Sequence, residues 1–308
     1  MKPFLRENFP CKMTSTVSWL LIFLCIFSQN LCGQINPTNN CKRAPVFASA
    51  RGFSKNVAII TSMPDKKGLL LADPANMGKT YQDSSWASHG YMGQFTTDDA
   101  GNIFVLPGPH VNLIDNPITS NNYVFKIDSR TGKLSVFAQL PNLANDQSPN
   151  AFGALGITYN CKHKCLYISS VNNSTRKKEL GKIYQLNAIT GEIMDSLISF
   201  DAYGLLTLEI DDQEVLLSGC ARNSNVYEIK LNKKGGFNSD PKEIISIAGF
   251  GPRGDDRVKK IEFDMSTFRL IIKGHEFNYN LSAPLENQQT QYTFSRNGDN
   301  WQMENFKK

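Results

Sequence analysis

Side chains suited to binding a polar ligand are concentrated in a few loop segments of this 308-residue chain. Arginine offers a paired donor for carboxylates, and asparagine both donates and accepts hydrogen bonds. Together with carboxylate and imidazole groups, they suit a polyhydroxylated or carboxylated ligand. The candidate ligand-binding residues are His110, Asn112, Asp115, Asn116, Asn172, Arg176, Arg222, Asn223, Asp255, Asp256, His275, Glu276 and Asn278.

Several of these residues also fit a purely structural role. Asp255-Asp256 lies between two arginines, a pattern typical of solvated ion pairs. Arg176 belongs to a run of surface charge, and Asp115-Asn116-Pro117 is typical of an Asx turn. His110 and His275 occupy corresponding places in two repeat units, which favours a shared role, although a structural histidine explains each of them too.

The sequence excludes several functional classes. It contains no glycine-rich phosphate loop, no HExxH, no GxSxG and no dinucleotide-binding motif. The catalytic residues, if there are any, stay unassigned. A net charge of +5, mixed in sign along the chain, argues against a nucleic-acid partner.

The cysteines separate into a leader group and a mature group. Four of the seven follow the leader, namely Cys41, Cys161, Cys165 and Cys220. Four cysteines allow three disulfide pairings. Cys161 and Cys165 flank a predicted hairpin turn, so these two thiols could face each other. A metal site built from them with His163 is the alternative, although no second ligand pair stands at zinc-site spacing.

The N-terminus resembles a secretory signal. Basic residues precede an apolar run from Val17 to Leu31, and the small residue Gly33 follows it. We expect cleavage near Gly33, which predicts a secreted or periplasmic protein with no membrane span after cleavage. The alternatives are a lipoprotein acylated at Cys32, an uncleaved anchor, and a start at Met13.

A repeated strand pattern positions the candidate residues. The stretch from Gln94 to Phe137 contains four β-prone runs separated by turn signals, which predicts a four-stranded meander. Weaker copies precede and follow it. We therefore predict an all-β fold, a β-propeller with five blades, and a sixth if the segment from Cys41 to Ala50 pairs with C-terminal strands. Residues 1–33 are the signal peptide, 34–45 an irregular lead-in and 46–308 the propeller domain. A β-sandwich is the alternative fold.

The meander sorts its connections onto two faces. Turns after the first and third strands of each blade lie on one face, here called the turn face. The longer and more varied loops after the second and fourth strands lie on the other, here called the loop face. Functional residues concentrate on loops held by a rigid scaffold. We therefore expect the binding site on the loop face, near the central channel.

The segment GITYNCKHKCLYISSVNNS, followed by GKIYQLNAITGEI, resembles the senescence-marker-protein-30 (SMP-30)/gluconolactonase/strictosidine-synthase-like propellers and, more distantly, the NHL-type propellers. The resemblance implies a propeller fold. In gluconolactonase-like enzymes it also implies a divalent cation, such as calcium, bound in the channel by a glutamate, two asparagines and an aspartate. VFASARGF stands where the glutamate motif begins, and Leu155-Gly156 replaces an Asn-Gly pair, so no metal ligands are assigned here.

Two functional hypotheses follow. The first is an exported, non-enzymatic propeller whose loop face binds a small polar molecule, a glycan or a protein partner. The second is a metal-dependent hydrolase of the lactonase or esterase type, in which a cation polarises a carbonyl group.

Overall fold

The computed structural model describes residues 34–61, 63, 66–108, 114–141, 150–279 and 289–307. The predicted signal peptide, residues 1–33, lies outside the described residues, as do the candidate residues His110 and Asn112.

The described residues form five antiparallel sheets, the blades of a five-bladed β-propeller. The first blade comprises β2 (Ala58–Ile60), β3 (Leu70–Asp73) and β4 (Asn76–Tyr81). The second comprises β5 (Met92–Thr97), β6 (Ile103–Pro107), β7 (Tyr123–Ile127) and β8 (Leu134–Gln139). The third comprises β9 (Ala154–Asn160), β10 (Cys165–Ser170), β11 (Lys182–Asn187) and β12 (Ile193–Ile198). The fourth comprises β13 (Ala202–Ile210), β14 (Gln213–Cys220), β15 (Asn225–Lys230) and β16 (Lys242–Ser246). The fifth comprises β17 (Arg257–Asp264), β18 (Arg269–His275), β19 (Thr290–Asn297) and β20 (Asn300–Lys307).

The prediction of five meander blades is confirmed, with one correction in the first blade. The repeat pattern predicts that VFASARGF is the first strand of this blade, but the segment instead begins with the short helix α1 (Val46–Ala50). The N–H of Arg51 donates to the carbonyls of Phe47 and Ala48, the bonding pattern of a helical turn and not of a strand ladder. A second short helix, α2 (Ser84–Ala87), and a 3₁₀ turn (Ile118–Ser120) complete the helical content of the described residues. Neither helix has the length and apolarity that a bilayer span requires.

The hydrophobic core is divided among the interfaces between successive blades. Phe104 and Leu106 of the second blade pack in one cluster with Ile157 and Leu166 of the third. Another cluster joins strands of the fourth and fifth blades, and others join the first with the second and the third with the fourth. Two stacked sheets would share one continuous core, so this arrangement distinguishes the propeller from a β-sandwich.

Residues 34–43, here called the N-terminal strap, cross the turn face. The strap begins with β1 (Ile35–Pro37), which pairs antiparallel with the end of β13. Cys41 then forms a disulfide with Cys161, just after β9. The N–H of Arg43 donates to the carbonyl of Asp98, just after β5, at 3.1 Å. The predicted irregular lead-in is therefore attached in turn to the fourth, third and second blades.

Glycines allow the inner strands to approach each other inside the channel. A Cβ on Gly156 would lie 1.8 Å from the carbonyl oxygen of Tyr203, and one on Gly204 would lie 2.8 Å from that of Lys259. At the same level the Gln94 amide of the second blade donates to the Lys259 carbonyl of the fifth at 2.6 Å. Backbones this close leave no room for a side chain. The channel is therefore narrow here.

Candidate functional site

The candidate residues of the second blade have structural partners. Asn116 is buried, and its amide accepts from the N–H of Tyr91 and donates to its carbonyl, each at 2.9 Å. Asp115 forms an ion pair with Lys67, which precedes β3 of the first blade. Both side chains thus attach the loop after β6 to neighbouring segments.

Arg222, in the loop after β14, is the centre of a second group. Its guanidinium donates to the Asp201 carboxylate at 2.8 Å. It also donates to the backbone carbonyls of Thr175 at 3.0 Å and Arg176 at 2.9 Å. The loops after β10 and β14 are therefore joined through one side chain. Arg176 takes part through its carbonyl, while its side chain is exposed.

Asp201, directly before β13, is fully buried and heavily bonded. Besides Arg222, it accepts from the Ser174 hydroxyl, the Tyr279 hydroxyl and the N–H of Gly181. Burial, followed by the neighbouring Asp201 charge, raises the pKa of Tyr279, which keeps its phenol protonated as a donor. We refer to these residues as the Asp201 network.

Tyr279 belongs to the loop after β18, and this loop extends from the fifth blade toward the third. The ring of Phe277 lies 5.1 Å from those of Phe152 and Tyr203 and 5.4 Å from that of Tyr279. Phe152 and Tyr203 stand at the loop-face ends of β9 and β13. These aromatic rings pack together beside the channel on the loop face. The same loop carries the candidates Glu276 and Asn278.

A third group lies on the fifth blade. Asp256 is fully buried, accepts from Arg253 at 2.5 Å and accepts from the Tyr292 hydroxyl at 2.8 Å. Asp255 is exposed, and its carbonyl accepts from Arg257. The ion-pair interpretation of this segment therefore fits Asp256, although the pair is buried instead of solvated.

His275 lies opposite Arg257 in the ladder between β17 and β18. Its ring Nδ1 is paired with the carbonyl of Glu276. Burial lowers the pKa of the imidazole, and the nearby positive charges of Lys259 and Arg253 lower it further. His275 is thus uncharged at neutral pH, which suits a structural hydrogen bond.

The contacts therefore divide the described candidate residues among three groups. Arg222, Arg176 and, through Tyr279, the loop that carries Glu276 and Asn278 belong to the Asp201 network. Asn172 is buried in the same loop as Arg176. Asp201 lies in a loop after a fourth strand, where the sequence predicts functional residues, but neither Asp201 nor Ser174 nor Tyr279 is among the candidate ligand-binding residues. The local sequence around an aspartate at the start of a strand does not show whether its side chain is buried. The hydrogen-bond partners of Asp201 could therefore not be predicted.

A cavity of about 450 Å³ lies beside the Asp201 network, between the third and fourth blades. We call it the blade-interface pocket. Its lining includes Arg222, Asn223, Phe200, Tyr227 and Asp240. The Asn223 amide donates to the Tyr227 hydroxyl at 2.9 Å, and the Phe200 and Tyr227 rings lie 5.1 Å apart. Aromatic surface, an amide and a carboxylate thus border one space.

The described part of the chain contains no group of three or more His, Cys, Asp or Glu side chains that could hold a metal ion. Cys161 is committed to its disulfide, and His163 pairs with Glu214 at 2.9 Å. Cys165 and Cys220 are buried free thiols, and burial raises the pKa of both. The alternative site made of Cys161, His163 and Cys165 is therefore wrong, as is pairing Cys161 with Cys165.

Comparison with known proteins gives structural likenesses only. No protein-family profile matches the chain, and no curated protein matches it. Among solved structures, a luciferin-regenerating enzyme aligns with a TM-score of 0.45 and 9% sequence identity, and the alignment covers 90% of this chain and 80% of the enzyme chain. A hypothetical selenium-binding protein from Sulfolobus tokodaii aligns with a TM-score of 0.47 and 8% identity, and the alignment covers 87% of this chain and 62% of that protein. A bifunctional GH43-CE protein of Bacteroides eggerthii aligns with a TM-score of 0.40 and 11% identity, and the alignment covers 69% of this chain and only 27% of that protein.

Proposed function

We propose that this protein is an exported binding propeller whose loop face binds a small polyhydroxylated ligand, such as a glycan unit, in the blade-interface pocket. The observation that supports the proposal is the combination of aromatic, amide and carboxylate groups around this cavity of about 450 Å³. A volume of this size is typical of small-molecule sites.

The side chains around the pocket have distinct roles in this proposal. The Asp201 network holds Arg222 as part of the wall. Asn223 and Tyr227 are already hydrogen-bonded to each other, but a hydroxyl and an amide each retain further capacity to donate or accept. Asp240, in the connection between β15 and β16, borders the pocket from the turn-face side; it is exposed and bears a carboxylate that can accept from ligand hydroxyls. The rings of Phe200 and Tyr227 provide apolar surface for the carbon face of a sugar.

Export is supported by the chemistry of the strap. The Cys41–Cys161 disulfide is of the kind that persists in oxidising compartments. Together with the leader sequence, it favours a secreted or periplasmic location.

The test is a binding screen of monosaccharides and short oligosaccharides by ligand-observed NMR. We expect Asp240→Asn, which removes one negative acceptor, and Tyr227→Phe, which removes one hydroxyl, each to weaken binding by about tenfold. The matched control is Asp212→Asn, in the turn between β13 and β14 on the turn face. A screen without binding, or pocket variants that bind like the control, would overturn the proposal.

The metal-dependent hydrolase of the SMP-30/gluconolactonase type is the second candidate. Its cation needs several converging oxygen ligands, and no group of three or more His, Cys, Asp or Glu side chains converges among the described residues. We therefore assign no catalytic step to it. A rise in melting temperature on addition of calcium would favour this candidate over the binding propeller.

A further inference from the structure

A second cavity, also of about 450 Å³, lies in the central channel toward the turn face. We call it the channel cavity. Its walls are the inner strands β5, β9, β13 and β17, together with the N-terminal strap. It lies on the opposite side of the propeller from the loop-face candidates, and the proposed function does not use it.

The strap places one positively charged side chain in this cavity. Lys42 lies between Cys41, linked by the disulfide to the third blade, and Arg43, bonded through its N–H to the second. Both neighbours are thus fixed to the body of the propeller. Lys42 lines the cavity and is accessible to the water in it.

The other charged groups around the cavity already have partners. Glu262 is shared by Lys260 at 2.5 Å and Lys273 at 3.0 Å. The carboxylate of Asp264 accepts from the N–H of Ser266 and from the Thr267 hydroxyl, each at 2.8 Å. The parts of β5, β9 and β13 that line the cavity carry no titratable side chain.

Lys42, by contrast, has no ion pair or hydrogen bond with any residue that the structure describes. Lys42 is an exposed residue, yet desolvation of its ammonium lowers its pKa to about 8, with Lys260 lowering it further and Glu262 acting in the opposite direction. An anion beside the ammonium would stabilise its charged form.

Two further features of the cavity suit a small organic ligand. Thr96 is almost fully buried, and its hydroxyl lacks a hydrogen-bond partner within the described ranges. Unsatisfied buried hydroxyls are uncommon, so this one is a candidate donor or acceptor for a ligand. Ile157, Leu206 and Phe263 provide apolar wall for a hydrocarbon portion.

We propose that the channel cavity binds a small organic monocarboxylate, whose carboxylate pairs with the Lys42 ammonium and whose hydrocarbon part packs on the apolar wall. One carboxylate matches Lys42, the one unpaired cation among the described residues that line the cavity, whereas a multiply charged anion would bring excess negative charge beside Glu262 and Asp264. The site is entered from the turn face and is independent of the blade-interface pocket.

The experiment measures binding of benzoate to the intact protein by calorimetry, with benzamide as the uncharged match and lactate as a smaller carboxylate. We expect at least one carboxylate to bind with a dissociation constant below about 10 mM, and benzamide to bind at least about tenfold more weakly than benzoate. Lys42→Gln should weaken carboxylate binding by about tenfold or more, and Lys42→Arg, which retains the charge, should preserve it. The matched control is Lys55→Gln, an exposed lysine away from the cavity.

The pH dependence gives an independent readout. The carboxyls of Glu262 and Asp264 stay ionised between about pH 7 and about pH 9. Burial opposes ionisation of Glu262, but Lys260 and Lys273 outweigh it and lower its pKa, and the turn hydrogen bonds lower that of Asp264 to about 2. Carboxylate affinity should therefore follow the charge of Lys42 and fall roughly tenfold between about pH 7 and about pH 9. Absence of carboxylate binding, equal binding of benzamide, or unchanged binding by Lys42→Gln would each overturn the proposal. So would an affinity that does not change with pH.

Discussion

The two faces of the propeller treat charge in opposite ways. On the loop face, Asp201 is fully buried, and Arg222 and three other donors satisfy its carboxylate. On the turn face, Lys42 stands in a cavity without an ion-pair partner among the described residues. A charged side chain whose hydrogen-bonding groups are all paired within the protein stabilises the fold. A charged side chain without such partners is available to bind a ligand. Residue type alone does not separate these two cases.

The largest effect should come from breaking the paired side of this comparison. Arg222→Met leaves the buried Asp201 charge without its cation, and we expect the free energy of unfolding to fall by about 3 kcal/mol. Arg176→Met is the matched control, because Arg176 contributes only its backbone carbonyl to the network and should change stability by less than about 0.5 kcal/mol. Urea denaturation measures both. Equal effects of the two variants would show that the Arg222–Asp201 pair is not important for the fold.

The next largest effect should come from removing the disulfide that fixes the N-terminal strap, and with it Lys42, to the turn face. Replacing Cys41 and Cys161 by serine opens a cross-link between residues 120 positions apart, and we expect a loss of about 2–4 kcal/mol of stability. Because Lys42 follows Cys41 directly, releasing the strap should also weaken carboxylate binding in the channel cavity.

Dithiothreitol provides the control for the disulfide. It should lower the melting temperature of the wild type toward that of the double variant and leave the double variant unchanged. A wild type with the same stability with and without the reductant would contradict the role assigned to this cross-link.

The sequence predicted the blades because each meander repeats a local pattern of strand and turn, as in the stretch from Gln94 to Phe137. It did not predict the strap, because β1 is three residues long and pairs with a strand about 175 positions away. The short helix α1 was mistaken for a strand, since five residues are too few to separate the two periodicities.

The candidate site was predicted less well than the fold. Arg222 and Asn223 do line one cavity. Asn116 and Asp256, however, use their polar atoms within the protein. Lys42 was overlooked because it lies in a segment interpreted as an irregular lead-in. Whether a polar side chain is paired depends on contacts between distant segments, which local sequence does not contain.

The smallest expected effect is the contribution of the unpaired Lys42 charge to stability, which can be measured without a ligand. Because the folded protein lowers the pKa of Lys42 to about 8 from its ordinary value of 10.5, folding opposes its charged form. Lys42→Met should therefore raise the melting temperature at about pH 7, where the wild-type lysine is charged in both the folded and unfolded states. The difference should shrink as pH rises from about 8 to about 10.5, because the wild-type side chain becomes neutral first in the folded and then in the unfolded protein.

Lys55→Met, on the exposed surface, should show no such change with pH when melting is followed by circular dichroism. A Lys42→Met variant that is less stable than the wild type at neutral pH would mean that the ammonium already has a stabilising partner, and the contrast between the two faces would not hold.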